Sequence, residues 1–196
     1  RKPVLAQEID PDGTVVDDNE LFRLGKRARA HLERRKSTDG DGAVDIYASD
    51  WSNTAHGKST GRIYVHSGRT GRRLLTLTGE NSGDGFGTSP SMAGDVDGDG
   101  RADLIVGAWN YGEVAVSAGR AYLYSGGSGA LLKTYTCRTA GDTLGFDAVG
   151  LGDVDGDGTV DLLITSGWSA VHGHHSGRVF VISSGVNASR AQQASR

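Results

Sequence analysis

The chain has 196 residues, a formal charge of −3 and a pI near 6.1, so no overall positive charge draws it to nucleic acid or to an anionic membrane. Its 31 glycines and only 3 prolines favour short strands joined by tight turns over helices. A single cysteine, Cys137, excludes an intrachain disulfide, and no apolar stretch approaches the length of a membrane-spanning helix. No membrane span is therefore predicted.

The first 36 residues combine a strand-like start with a basic stretch. Residues 1–8 (RKPVLAQE) resemble residues 71–78 (GRRLLTLT), which have the pattern of a strand, so a strand is predicted at this end of the chain. Residues 23–36 hold seven Lys or Arg against the single Glu33 and are interpreted as a basic insertion. No aromatic residue lies among these cations to stack on bases, so nucleic acid is not a predicted partner.

From residue 37 onward a repeat organises the chain. The strings STDGDGAVD, DVDGDGRAD and DVDGDGTVD follow one another at a constant step of 58 residues, starting at Ser37, Asp95 and Asp153. A second marker, Gly-Arg followed by an apolar or aromatic strand, keeps the same step and starts at Gly61, Gly119 and Gly177. Two markers in register indicate a repeat architecture.

Each period has the pattern of four short strands. After the Asp-rich loop the second period predicts strands at residues 103–109, 119–125 and 130–136. A fourth strand leads into each following loop, at residues 86–94 and 146–152. Four short strands in such a period are typical of a β-propeller blade, which buries its faces only by stacking on neighbouring blades.

The predicted fold is therefore all-β, with about three four-stranded propeller blades. The predicted boundaries are an N-terminal segment at 1–36 with a blade-completing strand and the basic insertion, blade 1 at 37–94, blade 2 at 95–152, an incomplete blade 3 at 153–184 and a polar tail at 185–196. Three blades are too few to close a ring, so oligomerisation is predicted to complete it, as a closed dimer or a head-to-tail fibre. In both arrangements the strand at residues 4–8 would pair with the third blade near residues 179–182. The alternative is that the chain is a piece of a larger propeller.

The Asp-rich loops have the chemistry of a metal site. The second loop places four carboxylates within nine residues: Asp95, Asp97, Asp99 and Asp103. Two such charges about 4 Å apart repel by roughly 1 kcal/mol in water and about 4 kcal/mol at a protein-like dielectric, and a hard divalent cation relieves this. Ligand sets made only of oxygen favour calcium over zinc. The alternative is a set of Asp-Gly turns without metal.

An EF-hand is excluded by the residue at the twelfth position of each loop. A calcium-binding EF-hand needs a bidentate Glu there, whereas these loops have Val106 and Ile164, both inside predicted strands. Each acidic loop is therefore predicted to connect two strands.

The order of motifs resembles the FG-GAP repeat of integrin α-subunit propellers and related bacterial surface proteins, over most of residues 37–184. The shared features are Phe-Gly, DxDGDGxxD, an apolar strand ending in Gly-Ala, and Gly-Arg before an aromatic strand. The chain departs from the family pattern at Trp109, where Pro is frequent, and at Asp147, which follows Phe146 where Gly is usual.

The resemblance implies one calcium ligand set in each loop. In the second loop the set is the side chains of Asp95, Asp97, Asp99 and Asp103 with the carbonyl of Arg101, and in the third it is Asp153, Asp155, Asp157 and Asp161 with the carbonyl of Thr159. The first loop begins with neutral Ser37, so its set of Asp39, Asp41, Asp45 and the carbonyl of Ala43 is expected to be weaker.

Aromatic residues recur at the end of the strand that follows each acidic loop. Candidate ligand-binding residues at this end are Trp51, His56, Trp109, Tyr111, Trp168 and His172. Exposed aromatic rings stack on sugars or anchor a protein partner, and the resemblance places these loops on the face away from calcium. The alternative is that each Trp packs its blade against the next.

No catalytic signature is present: the sequence has no Gly-x-Ser-x-Gly elbow, phosphate-binding glycine loop or His-Glu-x-x-His. The sequence therefore predicts a non-enzymatic, calcium-binding, integrin-like propeller module for adhesion or for binding a protein or carbohydrate ligand. Weak calcium sites fill outside cells, so a secreted or cell-surface location is expected. The alternative is a structural subunit that assembles with itself and has no separate ligand.

Overall fold

The computed structural model describes residues 37–186, together with the backbone of three short strands at residues 8–9, 15–16 and 29–32. These residues form strands and turns, with no helix among them and hence none long and apolar enough to cross a bilayer. The strands are β1 Glu8–Ile9, β2 Val15–Val16, β3 Arg29–Leu32, β4 Ile46–Asp50, β5 Arg62–His66, β6 Arg73–Thr78, β7 Phe86–Gly94, β8 Asp103–Ala108, β9 Arg120–Tyr124, β10 Leu131–Thr136, β11 Leu144–Gly152, β12 Asp161–Ser166 and β13 Arg178–Ser183.

The strands form three successive antiparallel sheets and one small hairpin. The first sheet has the order β3-β4-β5-β6, the second β7-β8-β9-β10 and the third β11-β12-β13, while β1 pairs with β2. The pairing keeps the 58-residue step, because Phe86 pairs with Ala108 and Leu144 with Ser166. The all-β class and the repeated blades are confirmed.

The sheets are offset by one strand from the predicted period boundaries. Each acidic loop joins the first strand of a sheet to its second, so β7 belongs with the second sheet although it falls within residues 37–94. In the first sheet this place is taken by Arg29–Leu32, which pairs with β4. The stretch interpreted as a basic insertion therefore supplies a strand of the first sheet.

The predicted blade-completing strand lies mostly outside the described residues. Its last residue, Glu8, pairs with Val16, and Ile9 pairs with Val15. The polar tail also lies outside the described residues, apart from Gly185 and Val186.

Two apolar cores fill the spaces between consecutive sheets. The core between the first and second sheets contains Tyr47, Ile63, Val65, Phe86, Met92, Leu104, Val106 and Tyr122. The core between the second and third contains Ala93, Val96, Ile105, Ala121, Leu123, Leu144, Leu162 and Ile164. The second sheet therefore buries both of its faces.

The Phe-Gly position of the third sheet is occupied by Leu144 and Gly145. Leu144 is buried as Phe86 is, and Gly145 has a φ of 82° where Gly87 has 87°. A Cβ on Gly145 would lie 2.4 Å from the carbonyl oxygen of Arg120, so only glycine allows this close approach. By strand pairing Leu144, and not Phe146, takes the place of Phe86, and Phe146 is exposed.

Candidate calcium loops and aromatic surface

The ninth residue of each acidic loop is a buried structural clamp. In the second loop Asp103 is fully buried, and its Oδ2 accepts hydrogen bonds from the backbone N–H of Val96 (2.6 Å) and of Asp97 (3.2 Å). Its Oδ1 accepts the N–H of Gly126 in the turn after β9 (2.9 Å). Burial raises the pKa of Asp103 to about 7, in spite of these hydrogen bonds.

The clamp recurs in the other loops. Asp45 accepts the N–H and the hydroxyl of Thr38, both at 2.6 Å, and the N–H of Gly68 at 3.1 Å. Asp161 accepts the N–H of Val154 at 2.8 Å. The ninth residue therefore fixes the fold of the loop as well as being a candidate metal ligand.

The earlier carboxylates fold each loop onto itself. Asp95 accepts the N–H groups of Gly98 and Gly100, at 2.9 and 3.0 Å, and Asp97 accepts that of Asp99 at 3.1 Å. Both glycines have positive φ, 77° and 82°, which this tight turn requires.

The third loop repeats this pattern in a more exposed setting. Asp153 accepts the N–H groups of Gly156 and Gly158, at 2.7 and 3.0 Å. Hydrogen bonds from the hydroxyl and the N–H of Thr159 lower the pKa of the Asp157 carboxyl. The repeat therefore dictates the same turn in both loops.

The folding of each loop brings three carboxylates together. Oxygen atoms from three residues lie within 4.8 Å of one another in each set: Asp39, Asp41 and Asp45; Asp95, Asp97 and Asp99; Asp153, Asp155 and Asp161. Two predicted ligands, Asp103 and Asp157, are not among these close groups. A concentration of carboxylate oxygens of this kind suits a hard cation that accepts six to eight oxygen ligands.

The first loop neutralises part of its own charge. The hydroxyl of Ser37 donates to Asp39 at 3.0 Å, where the other loops have a carboxylate. The guanidinium of Arg69 donates to the side chain and to the carbonyl of Asp41, both at 2.7 Å. The N–H of Ala43 and Arg69 together lower the pKa of Asp41. Sequence reasoning missed Arg69, which lies 28 residues from its partner.

The first and second loops are also in contact. The N–H of Ala102 donates to the carbonyl of Ser37 at 3.0 Å. Both loops line a cavity of about 300 Å³, and the Arg101 side chain lies beside Gly40. A change in one loop therefore bears directly on its neighbour.

A group of aromatic rings lies at the opposite end of the strands. The ring centroids of Trp109 and Trp168 are 5.4 Å apart, and that of Phe146 is 6.5 Å from the first and 6.2 Å from the second. The imidazole of His175 stacks on Trp168 at 6.2 Å. Strand β8 begins at Asp103, the last residue of the acidic loop, and Trp109 directly follows its last residue. The acidic loops and these rings therefore lie at the two ends of the same sheets.

The other predicted ligand-binding residues are placed differently. Tyr111 does not present a surface to any ligand: it is fully buried, its ring lies 3.7 Å below the Arg120 guanidinium carbon and its hydroxyl donates to Glu113. Trp51, His56 and His172 are exposed, and no aromatic ring within the described residues packs on them. Sequence reasoning missed Phe146 as a member of the aromatic group.

The chain has three antiparallel sheets, each with an acidic loop between its first and second strands. This architecture is that of a β-propeller repeat protein. The profile of the FG-GAP repeat matches residues 86–130 and 146–182, and that of the FG-GAP-like repeat matches residues 38–106. The chain belongs to the FG-GAP repeat family.

Two solved structures resemble the chain at low identity. Rhamnogalacturonan lyase YesW is 16% identical with a TM-score of 0.39, over 85% of this chain and 33% of the lyase. The exotype rhamnogalacturonan lyase YesX is 14% identical with a TM-score of 0.40, over 84% of this chain and 32% of the lyase. The chain thus spans about a third of the length of either enzyme.

Proposed function

We propose that the chain is a calcium-stabilised, non-enzymatic propeller module that binds a ligand outside the cell, in the manner of an adhesion protein. The observation that carries this proposal is the convergence of three carboxylates within 4.8 Å in each of three loops at the same repeat position. Carboxylates held this close repel one another, and a bound divalent cation turns that repulsion into attraction.

Calcium would act here on stability. Each acidic loop connects the first and second strands of a sheet, so an ion bound to it joins those strands at one end. The third loop should gain the most stability from a bound ion, because residues 151–158 are all exposed. Oxygen-rich loops of this type fill at extracellular calcium concentrations, which supports a secreted or cell-surface location.

The ligand-binding part of the proposal rests on the end of the sheets away from calcium. The aromatic rings lie there, and they are partly exposed while most other large apolar side chains of the second sheet are buried. A module of this kind keeps its metal and its ligand at separate ends.

Chelation tests the calcium proposal. The melting temperature is measured in calcium, in EDTA, and in EDTA followed by excess calcium, for the wild-type chain and for the double variant Asp97→Ala, Asp155→Ala. Calcium binds the folded state, so it should raise the melting temperature of the wild type and have little effect on the variant. Asp147→Ala is the control, because Asp147 is exposed and lies outside all three loops. An unchanged melting temperature in EDTA would refute the calcium proposal.

A second candidate function, self-assembly, is favoured by the outer face of the third sheet. Positions 93, 96, 121 and 123 of the second sheet are apolar and buried against the third sheet. The residues one repeat later are also apolar but exposed: Leu151, Val154, Val179 and Val181. A further sheet of the same type, supplied by a second copy of the chain, would cover them as the third sheet covers the second.

A further inference from the structure

The third repeat departs from the second at several positions that meet in one place. Where the second repeat has Thr88, Asn110 and Ser117, the third has Phe146, Trp168 and His175. These three aromatic side chains pack against one another, with Trp168 in contact with both of the others. Three aromatic residues at positions that are not aromatic in the second repeat therefore converge on a single surface.

A fourth departure makes room for this surface. The repeat position of Trp109 is occupied in the third sheet by Gly167, where a Cβ would lie 2.9 Å from Cγ of Phe146. The glycine lets the Phe146 ring lie flat on the backbone, and the tryptophan moves one residue along the chain to position 168. Trp109 itself lies over Gly85, where a Cβ would be 2.9 Å from its indole nitrogen.

The fold does not need these rings for its core. Leu144 already fills the place of Phe86, while Phe146 and Trp168 remain 38% and 49% exposed. His175 has a φ of 50°, which is unfavourable for most residues, and Ser117 has 48° at the same position. The positive φ is therefore common to both repeats at this position. In the third repeat the residue there is His175, whose imidazole stacks on Trp168.

We infer that Trp109, Phe146, Trp168 and His175 form a carbohydrate-binding platform. A pyranose ring has an apolar C–H face that stacks on aromatic rings and hydroxyl groups at its edge that need hydrogen-bond partners. The platform offers both: the partly exposed rings of Phe146 and Trp168, and polar groups on the indole N–H of Trp168 and on the imidazoles of His174 and His175, which stack on each other at 3.9 Å. Within the described residues, none of these nitrogens has a protein partner.

The size and charge of the platform favour a sugar over other ligands. Three rings with centroids 5.4 to 6.5 Å apart form a compact group. A stable protein interface, in contrast, buries roughly 800 Å² per partner. Single-stranded nucleic acid would need cations beside the rings, and among the described residues no Lys or Arg lies over Trp109, Phe146 or Trp168.

The inference rests on the proposed ligand-binding function and is tested with repeat-reverting variants. Phe146→Thr and Trp168→Asn restore the residues that the second sheet accommodates at these positions, so the fold should tolerate them. Leu131→Ala is the control, because Leu131 is an apolar side chain that is 47% exposed and lies in β10, outside the aromatic group. All proteins are kept in excess calcium, and folding is checked by the melting temperature.

Binding is measured by native affinity electrophoresis in soluble glucan, mannan, xylan, galactan and chitosan, and by tryptophan fluorescence titration with the matching oligosaccharides. The wild type should bind at least one glycan, each reverting variant should lose about tenfold or more in affinity, and Leu131→Ala should bind as the wild type does. Absence of binding to every glycan, wild-type affinity in folded reverting variants, or equal loss in Leu131→Ala would overturn the inference. A protein partner found in place of a glycan would also overturn it. The melting temperature in EDTA, recorded on the same samples, reports separately on the calcium proposal.

Discussion

Asp103 and Gly126 are 23 residues apart in the chain, and the Gly126 N–H donates to Oδ1 of Asp103 at 2.9 Å. The bond joins the end of the second acidic loop to the turn between β9 and β10. Because Oδ2 of the same carboxylate accepts two further N–H groups, the side chain holds the loop closed independently of any cation.

Asp103→Asn should therefore destabilise the metal-free protein. An amide has one acceptor oxygen, so its NH₂ group would face a buried N–H that loses its partner, at a cost of about 1–3 kcal/mol. Asp99→Asn should cost less than about 0.5 kcal/mol, since Asp99 is exposed and accepts one N–H, from Arg101. Urea unfolding in EDTA measures both, and equal losses would contradict the clamp.

The three loops should differ in calcium affinity. The first loop lacks one carboxylate and pairs Asp41 with Arg69, so its site should be the weakest in a calorimetric titration. Asp99→Ala should reduce the calcium-dependent rise in melting temperature more than Asp41→Ala does. Conversely, Ser37→Asp combined with Arg69→Ala should strengthen the first site, because it restores the charge of the other loops. Three equal affinities in the wild type would contradict this ranking.

The ion pair between Asp142 and Arg178 should make the free energy of unfolding depend on pH in the acid range. Burial opposes ionisation of Asp142, but hydrogen bonds and the Arg178 guanidinium outweigh it and lower its pKa. A carboxyl whose pKa is lower in the folded state contributes stability above its ordinary value near 3.8, and this is lost as pH falls through the folded pKa. Acidification below about pH 4 should therefore weaken the junction of the second and third sheets.

Asp142→Asn isolates this contribution. The variant should lose about 1–3 kcal/mol at neutral pH, since Arg178 keeps its charge without a partner, and the difference from wild type should shrink below about pH 4. Asp84 is the repeat equivalent, and burial raises its pKa, so Asp84→Asn should show no such acid-side convergence. Urea unfolding across pH 3 to 7 measures both; a constant difference for Asp142→Asn would contradict the pair.

Sequence periodicity predicted the positions of the regular strands closely. The strand expected at residues 86–94 is β7, and the one expected at 103–109 is β8 with one residue less. These strands are marked by local signals, namely an acidic loop on one side and an apolar run on the other. The strand at Arg29–Leu32 has no such run, because its residues alternate between basic and apolar types within a cationic stretch.

Which side chains are buried and which are exposed near the aromatic group could not be predicted in the same way. Whether Leu144 or Phe146 faces the core depends on which of them pairs with Ser166. From the sequence alone, either residue could occupy the buried position. Tyr111 lies in a loop and was expected to face a ligand, but packing beneath Arg120 buries it. Both outcomes depend on side-chain and strand-pairing contacts between different segments of one repeat, which a 58-residue period does not encode.

The exposed outer face of the third sheet should be an assembly surface. Val179 and Val181 are 64% and 60% exposed, whereas Ala121 and Leu123 are fully buried by the third sheet at the same repeat positions. Covering the two valines with a second copy removes apolar area from water, at about 25 cal/mol for each Å². Replacing both with Lys would place two charges in that contact and should prevent it.

Mass in solution decides the point. By light scattering and sedimentation, the wild-type chain should have a mass that is a multiple of 20.5 kDa, and Val179→Lys, Val181→Lys should reduce it to a single chain. Val116→Lys is the matched control, since Val116 is an exposed valine in a loop and not on a sheet face. If assembly proceeds through the outer face, the control keeps the wild-type mass. A wild-type chain that is monomeric at tens of micromolar, or a lysine double variant that keeps the assembled mass, would exclude this face as the contact.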